Sequence, residues 1–336
     1  MKLDFKEKYL VERSFTLIEL LVVIAIIGII SGLIIVTMSG ATTSANDARR
    51  KNDISALKKA LTIYSTLNGL AYPIESTPCN IGAPSGSSPC STLASAIADN
   101  LPTLPLDPSG QYYKYASDGT TYGIMADSAL TDIDGNKYGT VTIGNQTWMA
   151  ENLMTTRYRD GTPITYASTW SADGGYYGYP PNIGNTAEET PANIQSNKLG
   201  FVYQLSAVNS SHGLCPSGWH VPSDAEWKTL EMFLGMSETD ANLTGWTRGT
   251  SEGRKLKEAG TTWTDHANRG TNASLFTAAG SGRRGPTGSF NNRSTLTYFW
   301  ASGASGWIRA LDYSYATVYR STGSAANGFS VRCLKD

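Results

Sequence analysis

The feature that most constrains this chain is a wall of aliphatic residues near its start. From Leu20 to Met38 the sequence is almost wholly apolar, and a helix of about 20 such residues rises roughly 30 Å, the thickness of a bilayer core. An ordinary signal peptide has a shorter apolar stretch followed by a small-residue cleavage site. Here the run is longer and continues from Met38 to Arg50 as helix-compatible sequence, so it reads as an anchor that is kept. Lys2, Lys6, Lys8 and Arg13 precede it against Asp4, Glu7 and Glu12, a small positive excess that favours a cytoplasmic N-terminus with the rest of the chain outside. One acid, Glu19, stands at the entrance. A carboxylate in an apolar helix costs on the order of 3 kcal/mol near the bilayer centre and less near the interface, so it marks a functional position whose natural relief is a cation.

Ser14-Phe15-Thr16-Leu17-Ile18-Glu19 resembles the prepilin-type cleavage and methylation motif of type IV pilins and type II secretion pseudopilins. The resemblance implies a leader, residues 1–14, removed on the cytoplasmic side by a prepilin peptidase that also N-methylates the new N-terminus, Phe15. The family usually has Gly before the cut, and Ser14 is a small residue in its place. The freed amine of one subunit then meets Glu19 of a neighbour, an attraction of about 4 kcal/mol at 4 Å for an effective dielectric near 20, before desolvation. Gly28 and Gly32 form a G-x-x-x-G spacing that lets helix backbones approach closely. Val36 and Thr37 stand where many pilins carry a helix-kinking proline.

Beyond the apolar run, Ile54, Leu57, Leu61 and Tyr64 recur at helical spacing, which predicts one buried face. Asn68-Gly69 and Pro73 are stop signals, so the helix should end near Leu67. A helical piece is expected over 91–100, strands over 111–116 and 121–125, and a hairpin turn at Ser117-Asp118-Gly119-Thr120. The helix end, the Leu104-Pro105-Leu106-Asp107-Pro108 segment and the Tyr-rich hairpin resemble the small globular head of pseudopilins. Some such heads bind calcium, but turn formation already accounts for Asp107 and Asp118.

Composition shifts near Asp132, beyond which lie all eight tryptophans and all three histidines. Asp132-Ile-Asp-Gly-Asn136 begins like an EF-hand loop, yet Lys137 stands where that loop needs Gly and Ile143 where it needs Glu. It reads instead as a turn before strands at 137–143 and 146–149, joined at Gly144-Asn145. Trp148-Met-Ala-Glu-Asn-Leu153, Cys215-Pro-Ser-Gly-Trp-His-Val-Pro-Ser-Asp-Ala-Glu-Trp227 and Gly328-Phe-Ser-Val-Arg-Cys333 resemble, in order, the Fibrobacter succinogenes major paralogous domain, over residues 131–336. That family is similar to C-type lectin-like folds. Ser223 and Glu226 form a capping box, which predicts a helix over 224–233.

The four cysteines, Cys79, Cys90, Cys215 and Cys333, contain no C-x-x-C pair, which argues against a zinc ribbon or redox site. Paired by neighbourhood, Cys79 with Cys90 and Cys215 with Cys333, they would be worth about 3 and 4 to 5 kcal/mol on the loop-entropy model. Four reduced thiols are the alternative. His212, His220 and His266 lack metal-motif spacing, and Gly249-Thr-Ser-Glu-Gly253 has no buried strand before it. No metal, cofactor or catalytic residue is expected. With 27 basic and 28 acidic residues the formal charge is -1, so nucleic acid is not an expected partner. Tyr176, Tyr177 and Tyr179 in one loop and Arg283 and Arg284 in another form a candidate surface for a glycan or protein outside the cell, with packing of the loops on their own domain as the alternative.

The resulting expectation is an α+β chain: leader 1–14, transmembrane and assembly helix 15–67, pilin-like head 68–130 and C-type lectin-like domain 131–336. Its expected partners are other pilin or pseudopilin subunits, the prepilin peptidase and methyltransferase, the membrane and an extracellular ligand. The role implied is a non-enzymatic subunit at a minor or tip position. A type II secretion pseudopilin that meets exported cargo and a solitary anchored receptor are its rivals.

Overall fold

The computed structural model describes residues 17–170 and 172–336, apart from the side chains of 28–41, 43, 128 and 129. By its contacts the chain divides into two compact units, Met1–Arg49 and Arg50–Asp336, and helix α1, Leu17–Leu67, contributes to both. In the first unit the side chains of Leu17, Ile18, Leu20, Leu21, Val22, Val23, Ile24, Ile26 and Ile27 are exposed, far more apolar surface than a soluble protein leaves uncovered. Among the described residues no helix is long and apolar enough to cross a membrane. The stretch expected to span, Leu20 to Met38, runs into the residues whose side chains are not described.

The second unit begins with the last turns of α1. Leu57, Ala60 and Leu61 are buried, with Ile54 and Tyr64 packed beside them. The helix stops as the stop signals predict. Gly69 takes a left-handed φ of 65°, and the Leu70 N–H donates back to the Ser65 carbonyl at 2.7 Å, the six-to-one bond of a Schellman closure. Strand β1 (Glu75–Asn80), helix α2 (Ser91–Ile97), strands β2 (Lys114–Ser117) and β3 (Tyr122–Thr131) complete the head. Their Leu93, Ile97, Tyr113, Tyr115 and Ile124 close over α1, and Cys79 is bonded to Cys90 across the loop before α2.

The chain then continues with β4 (Lys137–Ile143), β5 (Gln146–Met149), β6 (Tyr177–Gly178), α3 (Pro191–Ser196), β7 (Val202–Tyr203), α4 (Leu205–Val208), β8 (Trp219–His220) and α5 (Asp224–Phe233). After them come α6 (Glu238–Asn242), α7 (Glu252–Leu256), β9 (Arg283–Arg284), β10 (Phe290–Asn291), β11 (Leu296–Trp300), β12 (Trp307–Asp312), β13 (Tyr319–Thr322) and β14 (Leu334–Lys335). Helix α5 has the expected bounds, and both bonds of its capping box form between Ser223 and Glu226. Its Trp227 and Leu230 pack with Trp148, Phe276 and Phe299 in a core of aromatic rings, with Trp148 and Trp227 4.9 Å apart.

The main sheet joins the expected head to the expected C-terminal domain. Its seven strands run in the order β1-β2-β3-β4-β5-β14-β8, so head and C-terminal module share one sheet. Strand β3 does not stop at Met125 as expected but runs to Thr131, pairing Ala126 with Thr140 and Leu130 with Tyr138 across an irregularity. The physical reason is the partner: a head that ended at β3 would leave a bare edge of N–H and C=O groups, and β4 satisfies them. At the far side β14 inserts between β5 and β8, with Leu334 opposite both Trp148 and His220. The Cys215–Cys333 disulfide ties the same strands together.

Side chains reinforce the join. Phe233 of α5 meets Tyr122 edge-on at 5.9 Å, and Lys255 donates to the Leu234 carbonyl and to Thr120 Oγ1 in the head's hairpin turn. At Gly123 the loop of the module comes so close that a Cβ would sit 2.0 Å from the Ser274 carbonyl oxygen. Gly123→Ala should therefore lower stability by about 1–3 kcal/mol, the usual cost of overpacking. Thermal unfolding of the full chain in detergent checks this, and an unchanged melting temperature would contradict close packing of the two parts at that point.

Candidate functional site

Three regions bear on function: the start of α1, the aromatic loops of the module, and its buried charges. Ser14 and Phe15 lie outside the described residues. Glu19 lies in the first turn of α1 and is exposed. Gly28 and Gly32 belong to the same helix, with surroundings outside the described residues.

The Tyr176–Tyr179 loop is not the open surface its composition suggests. Tyr177 is buried in β6, paired with Tyr203 of β7, and its ring lies 5.4 Å from Phe201. Tyr179 packs on Phe201 at 5.2 Å and Tyr166 at 5.5 Å. The rings cover one another, because a cluster of tyrosines gains more by burying its faces together than by waiting in water. Arg284 is likewise inside. Its guanidinium pairs with Glu188 at 2.8 Å, donates to the Ala167 and Ser168 carbonyls, and lies 4.8 Å from the ring centroids of both Trp170 and Phe290. Burial draws its pKa below the ordinary arginine value, against the pull of Glu188.

Arg283, one residue earlier in the strand, points the other way. It borders a cleft of about 340 Å³ on the three-stranded sheet β11-β12-β13, walled by Trp246, Tyr298 and Tyr319. A second concavity, about 470 Å³, lies where head and module meet. Four of its charges are paired, Lys114 with Asp127 at 2.5 Å and Lys198 with Glu151 at 2.5 Å, and Lys137 also lines it.

Ser251 stands at the N-cap of the short α7 rather than at the end of a strand, and the Glu252 carboxylate turns back to accept from the Thr250 and Ser251 N–H groups. Among the described residues no group of three His, Cys, Asp or Glu side chains could hold a metal. Asp107 accepts from Arg50 at 2.7 Å and from Ser109. Burial opposes its ionisation, but these bonds prevail and hold the carboxyl below the usual range. Asp118 is engaged by Thr120, Thr121 and Lys255.

What sequence reasoning missed is an internal charge network. Glu231, fully buried on α5, receives Arg248 at 2.5 and 3.0 Å and Arg309 at 2.5 Å. About two turns earlier in the helix, Asp224 binds Arg320 through both oxygens and Arg309 at 2.9 Å. Burial disfavours the charged Asp224, yet the two arginines hold its pKa down at about 2. Arg332 is buried with no carboxylate in contact among the described residues. It donates to Asn152 Oδ1 and to the Phe276 and Thr277 carbonyls and stacks on Phe276 at 4.2 Å, while burial pulls its pKa down to about 9. The Asp224–Glu231 spacing on one helix was the only available signal.

Comparison with known proteins places these parts. A model of the prokaryotic N-terminal methylation motif matches residues 11–35, and the Fibrobacter succinogenes major domain matches residues 141–335. The type II secretion system core protein G of Pseudomonas aeruginosa is 30% identical over 142 residues, covering 40% of this chain and 94% of that protein. The chain belongs to the pilin and pseudopilin family and carries a Fibrobacter succinogenes major domain. The core protein G of Klebsiella pneumoniae is 32% identical over 116 residues, covering 32% of this pilin-like subunit and 76% of the relative. No solved structure matches it. Members of the pilin and pseudopilin family are generally non-enzymatic.

Two predictions follow from the charges of this pilin-like subunit. Glu231→Gln leaves the buried Arg248 without a counter-charge and Arg309 with Asp224 alone, and should cost about 3–5 kcal/mol; denaturant unfolding reads this, and a loss below about 1 kcal/mol would contradict the network. His220 lies between Glu226 at 2.9 Å and Asp336 at 2.6 Å. Burial alone would lower its pKa, but the two carboxylates raise it above 6.5. A raised histidine contributes stability that is fully present below the unfolded value and is lost as pH rises through the folded one. NMR titration should therefore give His220 a pKa above 6.5 that falls in Asp336→Asn, with the stabilisation of the chain end lost on the alkaline side of that value.

Proposed function

We propose that this pilin-like subunit is a non-enzymatic component of an extracellular filament, at a minor or tip position, that carries a binding module outside the cell. The observation that carries the reading is the seven-stranded sheet shared by head and module. A module joined through β3 and β4 is a fixed extension of the head and cannot swing aside on a linker. One such extension on every subunit would crowd a shaft, whereas a minor or terminal subunit accommodates it.

In this reading the leader 1–14 is removed, Phe15 is methylated, and the helix 15–67 holds the subunit in the cytoplasmic membrane with the head 68–130 and the module 131–336 outside. Glu19 then meets the amine of a neighbouring subunit, Gly28 and Gly32 allow close helix packing, and the exposed aliphatic side chains from Leu17 to Ile27 pass from lipid into the filament core. The module is read as C-type lectin-like, supported by its last strand returning beside its early strand β5. Similarity to type II secretion system core proteins G favours a second reading, a pseudopilin whose module meets exported cargo.

Mass spectrometry of the mature protein should find N-methylated Phe15 as its first residue. Glu19→Ala should keep membrane insertion and lose filament incorporation. Normal incorporation of that variant, or an unprocessed N-terminus, would support a solitary anchored receptor instead. Electron microscopy with a label on the module distinguishes tip from shaft.

A further inference from the structure

We propose that the cleft beside Arg283 is a binding site for a carboxylate-bearing sugar. The inference deepens the reading of the module as a binding domain and rests on it. Three observations converge. First, the Arg283 guanidinium has no ion pair and no hydrogen bond among the described residues, and its Nε is buried without a partner. Every other arginine of the module discussed above is engaged by carboxylates or carbonyls, so an idle one calls for an anion. No acidic side chain lines the cleft to supply it.

Second, the geometry leaves the useful edge of that arginine open. Its Cζ lies over the Tyr298 ring, 5.3 Å from the centroid, and of its nitrogens only Nε is buried. The two terminal amino groups remain for a ligand, and they match a carboxylate through two parallel bonds. Tyr298 is itself stacked on Phe329 at 5.0 Å, which holds the platform still.

Third, the rest of the lining suits a hydroxylated ring. Trp246, packed on Tyr315 at 4.6 Å and Tyr319 at 4.8 Å, and Tyr319 itself put an aromatic, apolar wall on the cleft for the C–H groups of a sugar. Asn327 is 6% exposed, and its Oδ1 is buried with no donor; a ligand hydroxyl supplies one. Exposed Thr322 and Ser324 add hydroxyl partners at the rim. At about 340 Å³ the cleft falls in the small-ligand range. An acidic peptide shares the carboxylate but not the several hydroxyl donors that Asn327 and the rim ask for, so the sugar is the better fit.

The test uses the full chain in detergent, with trigalacturonic acid as the probe, galactotriose as its neutral counterpart and tri-aspartate as an acidic peptide. Calorimetry and tryptophan fluorescence read binding. Trigalacturonic acid should bind saturably, at least tenfold tighter than either comparator, and Arg283→Gln should weaken it at least tenfold while melting like the parent. If Arg283→Gln fails to fold, Arg283→Lys, which keeps the charge and loses the planar fork, should still weaken binding about threefold or more. Absent binding, equal affinity for galactotriose, stronger binding of tri-aspartate, or an unaffected arginine variant each overturns the site. Filament incorporation is scored in parallel. Sugar binding that fails while filaments form rejects the cleft alone, and filaments that fail in Glu19→Ala-independent fashion while sugar binds reject the assembly reading alone.

Discussion

The pairing of β3 with β4 is the interaction on which the rest of the second unit depends. A small head built on three antiparallel strands has an edge whose backbone groups need partners, and it buries little apolar surface of its own. Extending β3 to Thr131 and hydrogen-bonding it to β4 removes that edge. It also orients everything that follows, since β5, β14 and β8 add to the same sheet in fixed register. The aromatic core on α5, the disulfide at the chain end and the cleft on the second sheet are all referred to this one ladder. The close approach at Gly123 is then a consequence of two parts built on a common surface rather than touching across a linker.

The distribution of charge follows from the same economy. Only 16% of the residues are charged, and several of the arginines are spent inside the module, on Glu231, Asp224 and the carbonyls around Arg332. Buried pairs of this kind add little net stability over an apolar core, but removing one partner is costly, which makes them strong determinants of a single arrangement. A module held in one arrangement keeps the aromatic cleft of its second sheet in one shape. Arg283, which has no ion pair or hydrogen bond among the described residues, stands at the cleft.

Much of the architecture was legible in local chemistry. The stop signal at Asn68-Gly69 placed the end of α1, the Ser223–Glu226 capping box placed α5, and Gly144-Asn145 placed the hairpin between β4 and β5. Each depends on backbone conformations that a few adjacent residues dictate. The loops were not legible in this way. Tyr177 and Arg284 sit in stretches that look exposed because they are rich in Gly and Tyr, yet β7, Glu188 and Trp170 bury them, and those partners are distant in sequence.

By itself, then, the sequence determined the elements and the class of protein: an apolar helix with an acid at its entrance, a small head, and a Trp-rich α+β module, because periodicity, caps and motifs are properties of neighbouring residues. Only the tertiary structure decided that head and module are one sheet, that Arg284 is core while Arg283 borders a cleft, and that the buried Asn327 Oδ1 lacks a donor. Those outcomes rest on which edges needed hydrogen-bond partners and which charges found counter-charges, and both are settled by residues that meet only in the folded chain.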